Sequence, residues 1–349
     1  MIYLVDLEYV ETRYTAQWKT EFPQQLANET GQDITVIEGP EDIAACTTPG
    51  AFLNFAGTNI YKSEQVKLLA EYFNNNQITN GDHFVFADAW HPGILNLKYM
   101  LDLFQIDATI HGLWHAGSYD PQDFLGRLIG DEPWVRHTEL ALFHSIDKNY
   151  FASQFHIELF VNTFGKEVAI EDKIVRTGWP MEYMTNHIQH STVKEDIILF
   201  PHRNAPEKQL NIFLDLEKAL PQYKFINCND YNLSKQDYNK LLEQSKMVFS
   251  ANLQETLGIS CYEILVAGGM PLVPNRLSYV EMYDDTFKYP TQFTLDWKGY
   301  QDNKEILLGK IRTLMDNFDT EEIQSVIKNN RKMLEEQYFT ATNLYQELK

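Results

Sequence analysis

The stretch Met247-Val-Phe-Ser-Ala-Asn-Leu-Gln-Glu255-Thr-Leu-Gly-Ile-Ser-Cys-Tyr-Glu263 runs from a short apolar segment through a glycine-bearing loop into a helical pattern. The apolar run, 247–251, reads as a buried strand. Ile259, Tyr262 and Val266 share one side of the following helix, and Gly268-Gly269 stops it. Glu255 sits in the loop and Glu263 more than a turn into the helix, so two hydroxyl acceptors stand beside a helix N-terminus. Free backbone N–H groups there favour an anion. The pairing suits a ligand that is both phosphorylated and rich in hydroxyls, such as a nucleotide-sugar.

Outward from this unit the same alternation repeats. In the second half, strands are expected at 196–200, 223–226 and 271–274. A helix over 207–220 turns Leu210, Phe213, Leu214 and Leu220 inward, and Ser234 with Asp237 makes a capping-box-like start to another. In the first half, strands are expected at 2–7, 34–37, 81–88, 108–110 and 149–153. Helices fall over 12–26, 95–104 and 157–164, with one closing at 140–144. Ser63 is placed to cap a further helix whose Val66, Leu69, Ala70 and Phe73 repeat at i, i+3, i+4, i+7. Alternating strands and helices argue for parallel sheets covered on both faces. Val175-Arg-Thr-Gly-Trp-Pro180 is the best linker, because Gly178 and Pro180 break regularity between two alternating blocks. The tail, 321–349, is charged and helical and long enough to reach back over the first block. The expected organisation is α/β, with two Rossmann-like domains at 1–178 and 179–332 facing a cleft. A C-terminal helix, 333–349, packs back on the first.

The bulk properties agree. The chain has 349 residues, enough for two cores, and its 44% hydrophobic and 13% aromatic content is that of a packed protein. Forty-nine acidic and 29 basic residues give a net charge of −20, which argues against a generally nucleic-acid-binding surface. Cys46, Cys228 and Cys261 are widely spaced, with no C-x-x-C, and fit buried thiols in a reducing compartment better than a disulfide framework or zinc site. The opening, Met-Ile-Tyr-Leu-Val-Asp6-Leu-Glu8, turns acidic at once and reads as a first strand, not a signal peptide. No apolar run approaches the ~18 residues of a membrane span. A soluble, cytoplasmic protein is expected.

Phe200-Pro-His-Arg203-Asn-Ala-Pro-Glu-Lys208 closes the first strand of the second block. Pro206 suits a helix first turn, which would put Lys208 in that turn. A lysine there opposes the helix dipole by roughly 0.3–1 kcal/mol unless an anion is near. Arg203 and Lys208 are therefore candidates to converge on one diphosphate, the bland alternative being a solvated helix start. Their place at a strand's carboxyl end, beside the Glu255–Glu263 segment, favours the ligand.

The order Arg203-x4-Lys208 then Glu255-x7-Glu263 resembles the retaining GT-B glycosyltransferases, in particular their large family four. His-Ser-Ile-Asp147 with Tyr150-Phe-Ala-Ser153, Val175-Arg-Thr-Gly178, Ala267-Gly-Gly-Met-Pro271 and Tyr279-Val-Glu281 resemble further family segments. The likeness spans roughly residues 80 to 350. It implies that Arg203 and Lys208 hold the donor diphosphate. Glu255 and the amides of Thr256, Leu257 and Gly258 would meet sugar and phosphate, and Glu263 the ribose. It also implies a UDP- or GDP-linked sugar as substrate, no further cofactor, and metal-independent transfer with retention; no D-x-D occurs.

In the first block, Ala108-Thr-Ile-His111-Gly112 resembles the strand end where the family sets a histidine against the transferring sugar, with His115 and His91 as rivals. His111 and His115 are read as flanking a Gly-Leu-Trp turn. Where the family has a glycine pair after the first strand, this chain has Asp6-Leu-Glu-Tyr-Val-Glu11-Thr-Arg13-Tyr14. Glu11, Arg13 and Tyr14 either select the acceptor or shape the fold. Trp114 and His115, in an aromatic-rich loop with Trp134 beyond, either stack on the acceptor or fill the core. The expected acceptor is a glycan, a small molecule or a hydroxymethylated pyrimidine in DNA, since the opening and size resemble phage-encoded transferases, which would place the protein in a host cytoplasm. A nucleotide-sugar epimerase or phosphorylase of the same fold is the alternative, and a non-catalytic nucleotide-binding module the third reading.

Overall fold

The computed structural model describes residues 1–11, 13–41, 43, 54–130, 132–170, 172–231 and 233–349. Cys46 lies outside them. The chain divides into two compact units, Met1–Met181 with Thr340–Lys349, and Glu182–Phe339.

The first unit is built on β1 (Ile2–Val5), β2 (Ile34–Ile37), β3 (His83–Phe86), β4 (Thr109–Trp114), β5 (Lys148–Phe151) and β6 (Ile174–Arg176). Their order is β2-β1-β3-β4-β5-β6, and every neighbouring pair is parallel. The second carries β7 (Glu195–Phe200), β8 (Lys224–Asn227), β9 (Ser245–Phe249), β10 (Met270–Pro274) and β11 (Lys288–Tyr289) in the order β11-β10-β9-β7-β8, again all parallel. Parallel strands need crossovers, and helices on both faces bury them, which is why Ile2–Val5 and the last four residues of β7 are wholly inside. In each sheet the winding reverses once, between β1 and β3 and between β7 and β9. Those reversals open crevices at the strands' carboxyl ends.

Four expectations are corrected. The helix thought to begin at Ser63 begins at Phe55, where the Asn54 side chain accepts from the Gly57 amide at 3.0 Å; Ser63 lies inside it and donates to the Asn59 carbonyl. Pro206–Lys208 is a separate 3-10 turn, so Lys208 is not in a helix first turn. Gln209, at φ 54°, breaks the chain there and the helix proper is Leu210–Ala219. Segment 175–180 starts as strand, because Ile174–Arg176 pairs with β5. Finally, Gly112-Leu-Trp114 is strand, not turn: a Cβ on Gly112 would lie 2.6 Å from Ile146 Cδ1, so the glycine serves close packing inside β4.

The tail holds two helices, Glu321–Gln337 in the second unit and Thr342–Glu347 in the first. The latter segment is tied down by Gln32 Nε2 donating to the Leu348 carbonyl and Asn343 Nδ2 to the Arg176 carbonyl, both at 2.6 Å.

Burial holds several imidazoles neutral. His111 and His156 in the first unit and His202 in the second are each pushed down to about 3, chiefly by desolvation. With folded values below the unfolded value near 6.5, their stabilisation is complete above pH ~6.5 and is lost as pH falls toward 3. Each removes about 2 kcal/mol between pH 7 and 5. Asp6, raised to about 6 by burial, works in the opposite sense, since its contribution is lost as pH rises from ~3.8 to 6. Five of the six tryptophans, Trp18, Trp90, Trp114, Trp134 and Trp179, lie in the first unit and only Trp297 in the second, so in a Trp297→Phe background tryptophan fluorescence follows the first unit. Its urea midpoint should fall between pH 7 and pH 5, and fall less in His111→Gln. Equal pH slopes for the two proteins would show that His111 is not held neutral.

Candidate functional site

The residues after β7 and β9 assemble around one buried cation. Lys208 is about 6% exposed, and its Nζ donates to the Gln254 carbonyl at 2.7 Å and to Glu255 Oε2 at 3.3 Å. Asn252 Nδ2 donates to the same carboxylate oxygen at 3.2 Å. Burial pushes the Glu255 carboxyl up, but Lys208 and His202, together with hydrogen bonds from Lys208 and the Gly258 amide, pull it below the usual range. Glu255 is therefore a carboxylate at neutral pH. Arg203 donates to the side chain of buried Glu207, whose carbonyl accepts from the Leu253 amide at 2.8 Å, so the two strand-end loops are tied together.

A second set of contacts fixes the loop after β9. Arg276, beyond β10, donates to the Asn252 and Ala251 carbonyls at 2.7 Å each and to those of Thr291 and Thr294. Gln209 Nε2 donates to the Ala251 and Thr294 carbonyls, both at 2.6 Å. The positive φ of Gln209 aims that side chain, which explains the break after Lys208. Gly258 caps the helix Ile259–Val266 at φ 74°, with Thr256 and Leu257 buried before it. A Cβ on Gly258 would stand 2.7 Å from the Tyr279 ring, whose hydroxyl lies 3.1 Å from Asn252 Nδ2 and 3.2 Å from Ser250 Oγ. The amides of this helix's first turn thus open beside Glu255.

Glu263 lies a turn further on, buried. Lys235 Nζ donates to one of its oxygens at 2.6 Å and the Tyr238 hydroxyl to the other at 2.7 Å. A carboxylate keeps lone pairs for further donors beyond these two. All the candidates of the second block, Arg203, Lys208, Glu255, Thr256, Leu257, Gly258 and Glu263, are therefore on the β7 and β9 side of one sheet.

The first unit rearranges the histidine candidates. His111 is in mid-strand, fully buried, with Nε2 3.0 Å from His83 Nδ1 and Nδ1 2.9 Å from the Tyr150 hydroxyl. It does not stand at a strand end, because β4 runs three residues past it. His91 is also interior, between Gln65 and the Gly93 amide. Trp114 is core: its Nε1 donates to Asn149 Oδ1 at 2.8 Å and its ring stacks on Phe151, so it is not an acceptor contact. His115 is the residue that leaves the carboxyl end of β4. Its Nε2 donates to the Ala87 carbonyl at 2.6 Å, which makes Nδ1 the acceptor of the Tyr14 hydroxyl at 2.8 Å. Trp179 packs on it at 4.3 Å. Arg13 precedes the helix Tyr14–Thr30, and Glu11 is exposed.

Sequence reasoning missed the carboxylates that gather at this crevice. Asp6 accepts from the Tyr61 hydroxyl at 2.6 Å and pairs with Lys19 at 3.3 Å; Glu8 accepts from Thr58; Asp88 pairs with Lys62 at 2.7 Å and lies at about 2, below the ordinary range despite burial, through Lys62 and His115. Asp6, Glu8 and Asp88 all follow strand runs in the sequence, which was the available signal. Among the described residues no group of three or more His, Cys, Asp or Glu side chains could hold a metal ion, and no helix is long and apolar enough to cross a membrane.

No protein-family model matches the chain, and no curated protein matches its sequence. Solved structures do match. The Candida albicans trehalose-6-phosphate phosphatase N-terminal domain is similar at TM-score 0.61 and 10% identity over 99% of this chain and 95% of its own. Anabaena Alr3699/HepE, solved with UDP and glucose, gives 0.58 and 12% over 99% and 97%. The pneumococcal O-GlcNAc transferase GtfA, solved with UDP and GlcNAc, gives 0.54 and 12% over 82% of this chain and 58% of its own. The chain thus spans little more than half the length of GtfA. At these identities the likeness establishes the fold alone: α/β with two parallel sheets, the GT-B architecture that the Anabaena and pneumococcal neighbours share.

The cap at Gly258 should be sensitive to a single methyl. Gly258→Ala is expected to cost about 1–3 kcal/mol, from positive φ and the Tyr279 contact. Gly309→Ala, in the helix Trp297–Asp316 with nothing within 4 Å of its added Cβ, should be neutral or stabilising. Chemical denaturation followed by circular dichroism compares the two; equal effects would deny the cap its special geometry.

Proposed function

We propose that the chain is a nucleotide-sugar-dependent glycosyltransferase that moves a sugar to an acceptor hydroxyl with retention of configuration. The observation that carries this reading is the buried Lys208 ammonium beside ionised Glu255, at the β7/β9 reversal and next to the helix N-terminus capped by Gly258. A cation and open amides suit a diphosphate; a carboxylate between them suits sugar hydroxyls. The Anabaena and pneumococcal neighbours, solved with UDP and a sugar, support the same ligand class.

In this reading Arg203 and Lys208 take the diphosphate of a UDP- or GDP-linked donor. Glu255 and the amides of Thr256, Leu257 and Gly258 meet the sugar, and Glu263 the ribose. The bond from the anomeric carbon to the phosphate oxygen breaks, its electron pair leaves with the diphosphate, and the two cations balance the charge as it grows. The acceptor oxygen bonds to the anomeric carbon on the face that the diphosphate leaves, and its proton passes to the departing phosphate oxygen. The first unit takes the acceptor. There His115, at the end of β4, replaces His111 as the candidate histidine; its ring is held by the Ala87 carbonyl and the Tyr14 hydroxyl, and Tyr14, with Glu11 and Arg13 just before it in the chain, would shape acceptor choice. The −20 net charge favours a glycan or small molecule over hydroxymethylated DNA, because Lys and Arg supply most non-specific affinity for a phosphate backbone.

Lys208→Ala and Arg203→Ala should each lower turnover ~10²–10³-fold, the range for removing one charge-stabilising donor. The assay is nucleotide release across UDP- and GDP-sugars with pooled glycan and small-molecule acceptors. Wild-type turnover in both variants removes the proposed roles. Donor incubated alone tests the epimerase and phosphorylase alternatives, which would yield an epimerised sugar or a phosphate-dependent product. Glu263→Ala should chiefly weaken donor binding in titration calorimetry, and unchanged affinity would count against the ribose contact.

A further inference from the structure

His202 leaves the carboxyl end of β7 at the point where the second sheet reverses its winding, and no role in the donor site has been given to it. It is about 6% exposed, yet its Nε2 has no hydrogen-bond partner. Its backbone and its ring face different ways. The main-chain carbonyl accepts from Asn229 Nδ2, in the turn after β8. The ring meets Phe200 edge-on at 5.1 Å, and the Phe249 carbonyl at the end of β9 also acts on it. The charges acting on the ring are Lys208 and Glu255.

Burial and the Lys208 ammonium keep the imidazole neutral, pushed down to about 3. A carbonyl only accepts, so Phe249 favours the tautomer with its hydrogen on Nδ1, and the unpartnered Nε2 then presents a lone pair. A buried acceptor left without a donor is destabilising, so this nitrogen asks for a hydrogen from whatever occupies the crevice. It is not alone. Asn252 Oδ1 is also buried without a partner, while the same side chain's nitrogen reaches Glu255. The crevice thus offers one ammonium and three acceptors: His202 Nε2, Asn252 Oδ1 and the Glu255 carboxylate.

We propose that His202 is a further donor-binding residue, its Nε2 accepting a hydrogen bond from a hydroxyl of the transferred sugar. The inference rests on the glycosyltransferase reading and deepens it. Three features separate the sugar from the rest of the donor. Phosphate oxygens carry no hydrogen to give and would repel the lone pair. The nucleoside belongs to Glu263, whose partners Lys235 and Tyr238 come from the helix after β8, whereas the His202 ring faces β9. Only the sugar brings several hydroxyl donors into reach of Lys208, which holds the diphosphate.

Titration calorimetry on the full chain with UDP, GDP, and their glucose, N-acetylglucosamine and mannose conjugates tests this. His202→Phe keeps the ring contact with Phe200 and removes the acceptor. The preferred sugar nucleotide should weaken about 3–10-fold, the worth of one hydrogen bond, while the bare nucleotide binds as before. His202→Gln, whose side-chain oxygen can take the place of Nε2, should recover most of the loss. Thermal unfolding shows whether each variant is folded, and His202→Leu replaces the Phe variant if the larger ring does not fit. Equal losses for nucleotide and sugar nucleotide, or no loss for either, overturn the role of His202. Absence of any nucleotide binding by the wild-type chain overturns the donor reading itself.

Discussion

The second unit depends on Lys208 being held inside the protein. An ammonium removed from water must be compensated, and the chain does so with the Gln254 carbonyl and the Glu255 carboxylate, both from the loop after β9. Ion pairs of this kind add little stability, because desolvation offsets the attraction. What the pair does is fix geometry: it forces the β9 loop to stand over the β7 loop, the Glu207 carbonyl then takes the Leu253 amide, and Arg276 and Gln209 pin the Ala251 and Asn252 carbonyls. The helix that follows must begin where Gly258 can take a left-handed conformation. The electrostatics of Lys208 thus determines where the first helical amides open.

Much of the fold was legible, because parallel strands buried on both faces read as short apolar runs. Ile34–Ile37 was found with its bounds, and Ser234 does cap its helix through the Asp237 amide. The misses share a cause: each residue had a local reading that tertiary packing overrode. Gly112 read as a turn glycine, yet it is a strand position that admits Ile146. That reading put His111 at a strand end, a place that His115 occupies in the structure. Pro206 read as a helix start, but the chain spends Gln209 on a positive φ to clamp two carbonyls, and no single-sequence pattern encodes that clamp. Ser63 read as a cap because the apolar repeat was counted only from Val66, while Asn54 begins the helix two turns earlier.

The candidate residues of the second unit stand differently. Arg203, Lys208, Glu255 and Glu263 were picked from residue type and spacing, and the structure brings them to one sheet. Their partners were not legible. Lys235 and Tyr238 reach Glu263 from another crossover, and Arg276 reaches the β9 loop from beyond β10. Long-range partners of this sort leave no periodic trace in a sequence; they follow only once strand order is known.

The two crevices share one topological origin but differ in charge balance. Each lies where a sheet reverses its winding, so each has strand ends and free backbone groups, but the side chains differ. At β7/β9 two cations, Lys208 and Arg203, stand with two carboxylates, Glu255 and Glu207, beside helix amides. At β1/β3 three carboxylates, Asp6, Glu8 and Asp88, are answered by Lys19 and Lys62, both already paired. Asp88 stays ionised far below neutral pH, and Asp6 titrates only near 6, so at pH 7 the first crevice has no spare positive charge from these groups. A phosphate brought there meets repulsion in a partly desolvated place, where it is screened poorly. A hydroxyl meets acceptors. In the proposed function the same fold would sort ligands by charge, with the phosphorylated substrate directed to the second unit and an uncharged, hydroxylated one to the first.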